Sequence, residues 1–223
     1  MTPGTERPEP VRRDARRNRD LLLAAAHKAF AAQGLDAPLD EIARRAGVGN
    51  ATLYRHFPSR AALIDAVFRD ALHETVVAGD EARRSADPWA GLADYLEAVF
   101  TVLAADRGAN DLMTTAIEGV TSLDGIHAHN HETISLLMGR AQRDGTMRPD
   151  VTIEDMLLGL ATLGRSVPSL AAAAAPHAWR RPLALFLDGL RAGARPTTDL
   201  PAPGLTPEDL AAVLRDLGPH RQG

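Results

Sequence analysis

Within a few residues the chain gathers an amide, a methyl, two hydroxyls, a guanidinium and an imidazole: Asn50, Ala51, Thr52, Tyr54, Arg55 and His56, with Arg60 close behind. The chemistry these groups share is recognition of a polar, anionic surface. An arginine fork reads a guanine edge, Thr and Tyr hydroxyls hold phosphates, and alanine permits close approach, which together suit a DNA major groove. No Ser-His-Asp set, glycine-rich phosphate loop or usefully spaced carboxylate pair stands out anywhere in the chain, so an enzyme is not expected.

The elements that must position these groups are read from the surrounding stretch, LDEIARRAGVGNATLYRHF, residues 39–57. Leu39, Ile42, Ala43 and Ala46 fall at i, i+3, i+4 and i+7, the spacing of one helical face. Gly47 ends that helix, since glycine takes the left-handed conformation without a Cβ penalty. Val48 then plugs the turn. In the next helix only Leu53 and Phe57 are large and apolar, four residues apart. At roughly 100° per residue, Ala51 and Arg55 point away from that stripe, Thr52 and Tyr54 flank them, and His56 sits nearer the seam. A helical hairpin buried in a bundle would not show so polar an outer face.

The segment AGVGNATLYRHFPSRAALIDAVF resembles the DNA-binding segment of the tetracycline-repressor (TetR) family, whose pattern runs roughly A-G-V-S-x-G-T-L-Y-x-H-F-x-S-K-E-x-L. Thr52, Leu53, Tyr54, His56 and Phe57 match its core, while Gly49, Ala51 and Ala61 depart from it. Those departures bear on helix stability more than on groove contacts. The resemblance is strong from Leu22 to Phe68 and one of architecture beyond. It implies an all-α fold: an N-terminal three-helix helix-turn-helix DNA-binding domain joined by a long helix to a C-terminal helical ligand-binding and dimerisation domain. In that reading Arg55 carries base choice, Ala51 sets the approach, Asn50 opens the reading helix, and Thr52, Tyr54, His56 and Arg60 hold phosphates.

Charge agrees once it is divided. The net charge is −4, yet residues 1–60 hold eleven Lys+Arg against seven Asp+Glu, leaving an acidic remainder. A basic N-terminal portion supplies salt-dependent phosphate attraction, and an acidic body stays off nucleic acid. By themselves Arg12, Arg13, Arg16, Arg17 and Arg19 read equally well as a solvated tail. The chain lacks cysteine, which excludes thiol catalysis, disulfides and cysteine metal sites. No run of about 18 uninterrupted apolar residues and no apolar signal segment appears, so a cytoplasmic protein without membrane partners is expected.

Four segments follow: a disordered basic arm over residues 1–15, the DNA-binding domain over 16–66, the helical effector-binding and dimerisation domain over 67–194, and a linker with a short helix over 195–223. The first helix is predicted from about Arg16 to Ala32, closed by Gly34. Ser59 caps a long helix reaching toward Arg84, and Asp87 with Pro88 opens one that stops near Gly108. A shorter helix lies between Asn110 and Gly119, another ends at Gly145, and a further one spans Thr152 to Val167. The Ala171–Ala175 run fits loop or helix. A last long helix carries Trp179, Leu183, Phe186, Leu187 and Leu190, and a short one follows Thr206.

His127, His129 and His131 invite a metal reading, but no acid or cysteine cluster accompanies them, and neither metal nor cofactor is expected. The resemblance implies a cavity for a small-molecule effector, for which Tyr95, Phe100, Met113, His131, Met138 and Met156 are candidates, although taken singly each is more often plain core. The last two long helices resemble the family's dimer-forming pair. Met156, Leu160, Leu163, Val167, Leu183, Phe186, Leu187 and Leu190 would form the interface, with Gly159 and Gly164 allowing close approach. A homodimer also follows from affinity, since one short helix reads too little DNA alone. The expected function is therefore a ligand-responsive repressor released from a palindromic operator by an effector. An activator of the same fold, or a helical ligand-binding protein or enzyme with an accessory DNA module, is the alternative.

Overall fold

The computed structural model describes residues 9–114, 120–193, 200 and 204–216. Ten α-helices account for them: α1 Glu9–Gln33, α2 Leu39–Arg45, α3 Asn50–His56, α4 Arg60–Arg83, α5 Pro88–Ala105, α6 Arg107–Thr114, α7 Thr121–Arg143, α8 Ile153–Ala173, α9 Arg180–Leu190 and α10 Pro207–Asp216. Among the described residues the only β pairing is one antiparallel bridge, Met147 with Arg191. The all-α expectation holds.

Local signals start four of the helices where the chain placed them. Ser59 Oγ accepts from the Ala62 amide, Asp87 accepts from Trp89 and Ala90 ahead of Pro88, and Thr152 forms a reciprocal capping box with Asp155. Thr206 and Asp209 repeat that box at α10. Residues 1–8, most of the expected linker over 195–204, and Leu217 lie outside the described residues.

Three expectations are corrected. Helix α1 begins at Glu9, so residues 9–15 are helical and not a disordered arm. Extension of a formed helix avoids the cost of nucleation, and the arginines are good helix formers. Helix α5 ends at Ala105, and Gly108 lies inside α6, where it is a close-approach glycine and not a stop. A Cβ there would fall 2.6 Å from Phe68 Cζ and 3.0 Å from Phe30 Cβ. Helix α8 continues through Pro168 to Ala173.

The last correction has a specific cause. Proline has no N–H to donate, so the carbonyl four residues back, that of Gly164, loses its helical partner. The buried Asn110 side chain of α6 supplies one, its Nδ2 donating to Gly164 O at 2.7 Å. Gly164 also lets α6 come close, because a Cβ would meet Thr114 Cγ2 at 2.9 Å.

Two apolar cores result. The first joins Leu22, Phe30, Ile42, Leu53, Phe57 and Leu63 to Phe68 and Leu72 of α4, and is completed by Leu112, Leu123 and Ile126 of α6 and α7. It thus draws on residues well past 66. The second gathers Trp89, Tyr95, Phe100, Leu137, Met138, Met156, Val167, Trp179 and Leu183. Helix α4 passes from one to the other. At its start Arg60 Nη1 donates to the carbonyls of Leu35 (2.8 Å) and Ala37 (2.7 Å), pinning the α1–α2 loop. At its end Arg83 reaches α7, donating to Thr133 Oγ1 and the His129 carbonyl, while Arg140 of α7 donates back to the carbonyls of Arg83 and Ser85. Helix α10 docks on α8 with Leu210 buried and Val213 facing solvent.

Two outcomes are expected. Asn110→Ala should destabilise the fold by about 1–3 kcal/mol in urea unfolding, because it strands a buried carbonyl. Pro168→Ala in the same chain should recover much of that loss by restoring the helical donor, and strictly additive effects would refute the pairing. Arg60→Ala should lower stability by a comparable ~1–3 kcal/mol, since it leaves two carbonyls unpaired; an unfolding midpoint equal to that of the unaltered protein would contradict the bracing role.

Candidate nucleic-acid interface

The turn between α2 and α3 is built by the backbone. Gly47 has φ +71°, its N–H donates to Arg44 O at 3.1 Å, and Val48 N–H donates to Ala43 O at 3.0 Å. These are the two bonds of a Schellman closure, which satisfies the last carbonyls of α2 and aims the chain into α3. Val48 half-buries against the core as the plug. Gly49 stands at the N-cap of α3 without a side chain to cap it. Its extended backbone suits any residue, so serine there would add a bond worth a few tenths of a kcal/mol.

Helix α3 has seven residues and buries one of them, Leu53; Phe57, just beyond it, is buried too. Asn50, Ala51, Tyr54 and Arg55 are exposed, Tyr54 by 52%, and Thr52 and His56 are half-buried. The outward set therefore stands together on one side, as its spacing requires. His56 lies at the seam, its ring 6.4 Å from that of Phe57 and its Nε2 shut away from solvent with no partner among the described residues. Only Nδ1 of His56 is left for a phosphate. Arg60 is the misplaced member: Nη1 is committed to the α1–α2 loop, and its first role is to brace the head. Sequence spacing could not show this, because the carbonyls it meets lie more than twenty residues earlier.

One contributor was not singled out. The guanidinium of Arg19 on α1 lies 5.1 Å over the ring of Phe57, covering the anchor at the C-terminal end of α3. Helices α2 and α4 carry their own surface pairs, Arg45 with Glu41 and Arg69 with Asp65.

The effector candidates separate. Tyr95, Phe100, Met138 and Met156 lie together in the second core, where the Tyr95 hydroxyl donates to Asn130 Oδ1 at 2.5 Å and Phe100 packs 5.8 Å from Trp179. Burial pushes the Tyr95 phenol well above its ordinary range. Met113 is half-buried between the two cores. His131 is exposed on α7 and leaves the set, because its helical position faces away from the core. Of the histidine run, His127 is exposed too, and His129 turns toward α4, its carbonyl and ring facing Arg83. Among the described residues no group of three or more His, Asp and Glu side chains is arranged to hold a metal ion.

The interface candidates are largely spent inside the monomer. Met156, Val167, Leu183 and Leu190 are buried in its own core, and Leu160, Leu163, Phe186 and Leu187 pack against it. Gly159 serves the Phe186 ring, and Gly164 serves Thr114 and Leu103, so neither glycine faces outward for a second chain. The apolar surface left outside is different: Leu185 is 62% exposed on α9, and α8 is apolar along most of its length while few of its residues are fully buried. By length and composition α8 is the one helix among the described residues that could cross a membrane.

Residues 22–67 match the model of bacterial regulatory proteins of the tetR family, and residues 87–192 match that of the SbtR-like transcriptional regulator C-terminal domain. The HTH-type transcriptional regulator TtgR of Pseudomonas putida is 27% identical over 158 residues, 65% of this chain and 75% of that protein. A TetR transcriptional regulator of Streptomyces coelicolor, SCO0520, is 32% identical across 79% of this chain and 99% of its own, with a TM-score of 0.50. A tetR-family regulatory protein of Rhodococcus RHA1 shares the fold at a TM-score of 0.62 and 21% identity, over 79% of this chain and 98% of that one. With both of its halves matched in order and the exposed face of α3 in place, the chain belongs to the TetR family of DNA-binding transcriptional regulators.

Proposed function

We propose that the protein is a ligand-responsive repressor that binds a palindromic operator as a homodimer. The observation that carries the reading is α3 itself, held by Leu53 and Phe57 while Asn50, Ala51, Tyr54 and Arg55 face solvent. Each subunit lays that face in a major groove, with half-sites one helical turn apart, about 34 to 36 Å. Arg55 reads a base, Ala51 sets the approach, and Thr52, Tyr54 and Nδ1 of His56 hold phosphates. The names of relatives such as TtgR support regulation of transcription.

The partner copy is seated on the outer faces of α8 and α9. Leu158, Ala161, Arg165 and Ala172 follow one another at helical spacing on α8, and none of them belongs to the monomer's core. With Leu185, the apolar members Leu158, Ala161 and Ala172 leave a surface more apolar than a free helix sustains. The effector enters the second core between the heads and this interface, among Tyr95, Phe100, Met138 and Met156, and Met113 lies where the two cores meet. It releases DNA by binding better to a conformer whose reading helices are wrongly spaced; its leverage is limited to that difference in affinity.

Selection of bound duplexes from a random pool should yield a palindrome, and small molecules that dissociate the winner should identify the effector class. Arg55→Ala should cost roughly 1 to 3 kcal/mol on the selected duplex and flatten the preference at one position per half-site. Equal loss on selected and random DNA would take base reading away from Arg55. In sedimentation at micromolar concentration the unaltered chain should run at twice 23.8 kDa, and Leu158→Arg with Leu185→Arg should run as a monomer; a dimer undisturbed by both would move the interface elsewhere.

A further inference from the structure

Arg12, Arg13, Arg16, Arg17 and Arg19, upstream of the matched family segment that begins at residue 22, lie on helix α1, whose course can be followed. Followed backward from its C-terminal end, helix α1 leaves the body. Phe30 packs near Gly108 of α6, and His27 Nε2 lies 3.0 Å from Asp106 Oδ2. It then crosses the head, and at Arg19 it meets Phe57 at the end of α3. Leu22 is its first buried residue, counting from the N-terminal end over the described side chains. The ten residues that precede Arg19, back to Glu9, therefore run on for about 15 Å, away from the body and past the end of the reading helix.

This projecting part carries Arg12, Arg13, Arg16, Arg17 and Arg19 against Glu9, Asp14 and Asp20. Arg13, Arg16 and Arg17 are exposed, and with Asp20 and Leu21 they line one shallow depression. At roughly 100° per residue these three arginines lie opposite Leu22, and Asp20 closes the head-side end of their stripe. Among the described residues no carboxylate of the head forms an ion pair with them. A helix end that bears so many cations gains its stability from continuity with α1, and Arg13, Arg16 and Arg17 offer exposed charge on the helix that meets the end of α3 at Phe57.

We propose that this N-terminal part of α1 is a second DNA-contacting element, which grips the phosphates flanking each half-site. The inference rests on the DNA-reading role of α3 and adds to it a sequence-independent grip outside the bases read. Its chemistry is charge-assisted bonding from Arg13, Arg16 and Arg17 to backbone phosphates, which strengthens binding without choosing sequence.

The test uses the full chain and the duplex won in the selection above, prepared in two lengths: ending at the outer edges of the half-sites, or extended on each side by about one helical turn (~10 base pairs). In the variant Arg13→Gln/Arg16→Gln/Arg17→Gln, helicity should be unchanged by circular dichroism, as glutamine keeps a good helix propensity. On the extended duplex its slope of log affinity against log salt should be shallower by about 0.9 for each phosphate no longer neutralised. Affinity at low salt should fall at least about tenfold, equally for every flanking sequence. On the trimmed duplex variant and unaltered protein should coincide. An unchanged slope on the extended duplex overturns the proposal, and so does an equal loss on both lengths. Arg55→Ala, measured alongside, separates the two readings: if it relaxes specificity while the triple variant does nothing, only the flanking grip falls; if the unaltered protein prefers no duplex, base reading falls and the grip with it.

Discussion

Helix α3 spans seven residues, far below the length at which an isolated helix holds together in water. The groove side of a reading helix has to stay free of its own protein, so it can be anchored only along a narrow stripe, and here that stripe is Leu53 and Phe57. Everything around it follows from that shortage. The Schellman closure at Gly47 sets its entry, Arg19 covers Phe57 from α1, and Arg60 ties the start of α4 to the loop that leads into α2. The head is thus a frame for a helix that contributes little to its own retention, and Leu112, Leu123 and Ile126 show that the frame is borrowed partly from the body.

That borrowing makes α6 a junction. On one side Gly108 seats Phe30 and Phe68, and Asp106 meets His27. On the other Asn110 completes the backbone of α8 at the carbonyl that Pro168 leaves without a donor. Asp111, one residue on, sits at the α1–α2 loop, and its burial raises its pKa against the pull of Arg107. An eight-residue helix therefore touches both the reading head and the helix whose outer face is left apolar. Movement of α8 has a short, well-packed route to α1 that does not pass along α4.

How much of this was legible beforehand follows the range of the interactions. The caps at Ser59, Asp87 and Thr206 and the turn at Gly47 depend on neighbours within a few residues, and the chain announced each of them; at Thr152 it announced the start of the helix and not the cap. The outward face of α3 was equally plain, because helical spacing alone separates Arg55 from Leu53. Gly108 misled, since a stop and a close approach both ask for glycine and only the distant Phe30 and Phe68 decide between them. Arg60 misled in the same way, its carbonyls lying across a loop. For α8 and α9 apolar periodicity was visible, but the division of each helix between its own core and a partner depends on the neighbours in three dimensions. Leu183 went inward and Leu185 outward, two residues apart.

The crossed arginines at the far end of α4 carry a mechanical consequence. Arg83 and Arg140 bind α4 to α7 in opposite directions, so that end behaves as a fulcrum, while Arg60 welds the other end to the head. The helix that joins these ends has 24 residues, Arg60 and Arg83 included, a lever arm of about 35 Å. A rotation of about 5° at the fulcrum carries the head end through roughly 3 Å by that geometry. That displacement is comparable to a hydrogen-bond length, enough to take a guanidinium out of register with the edge of a base.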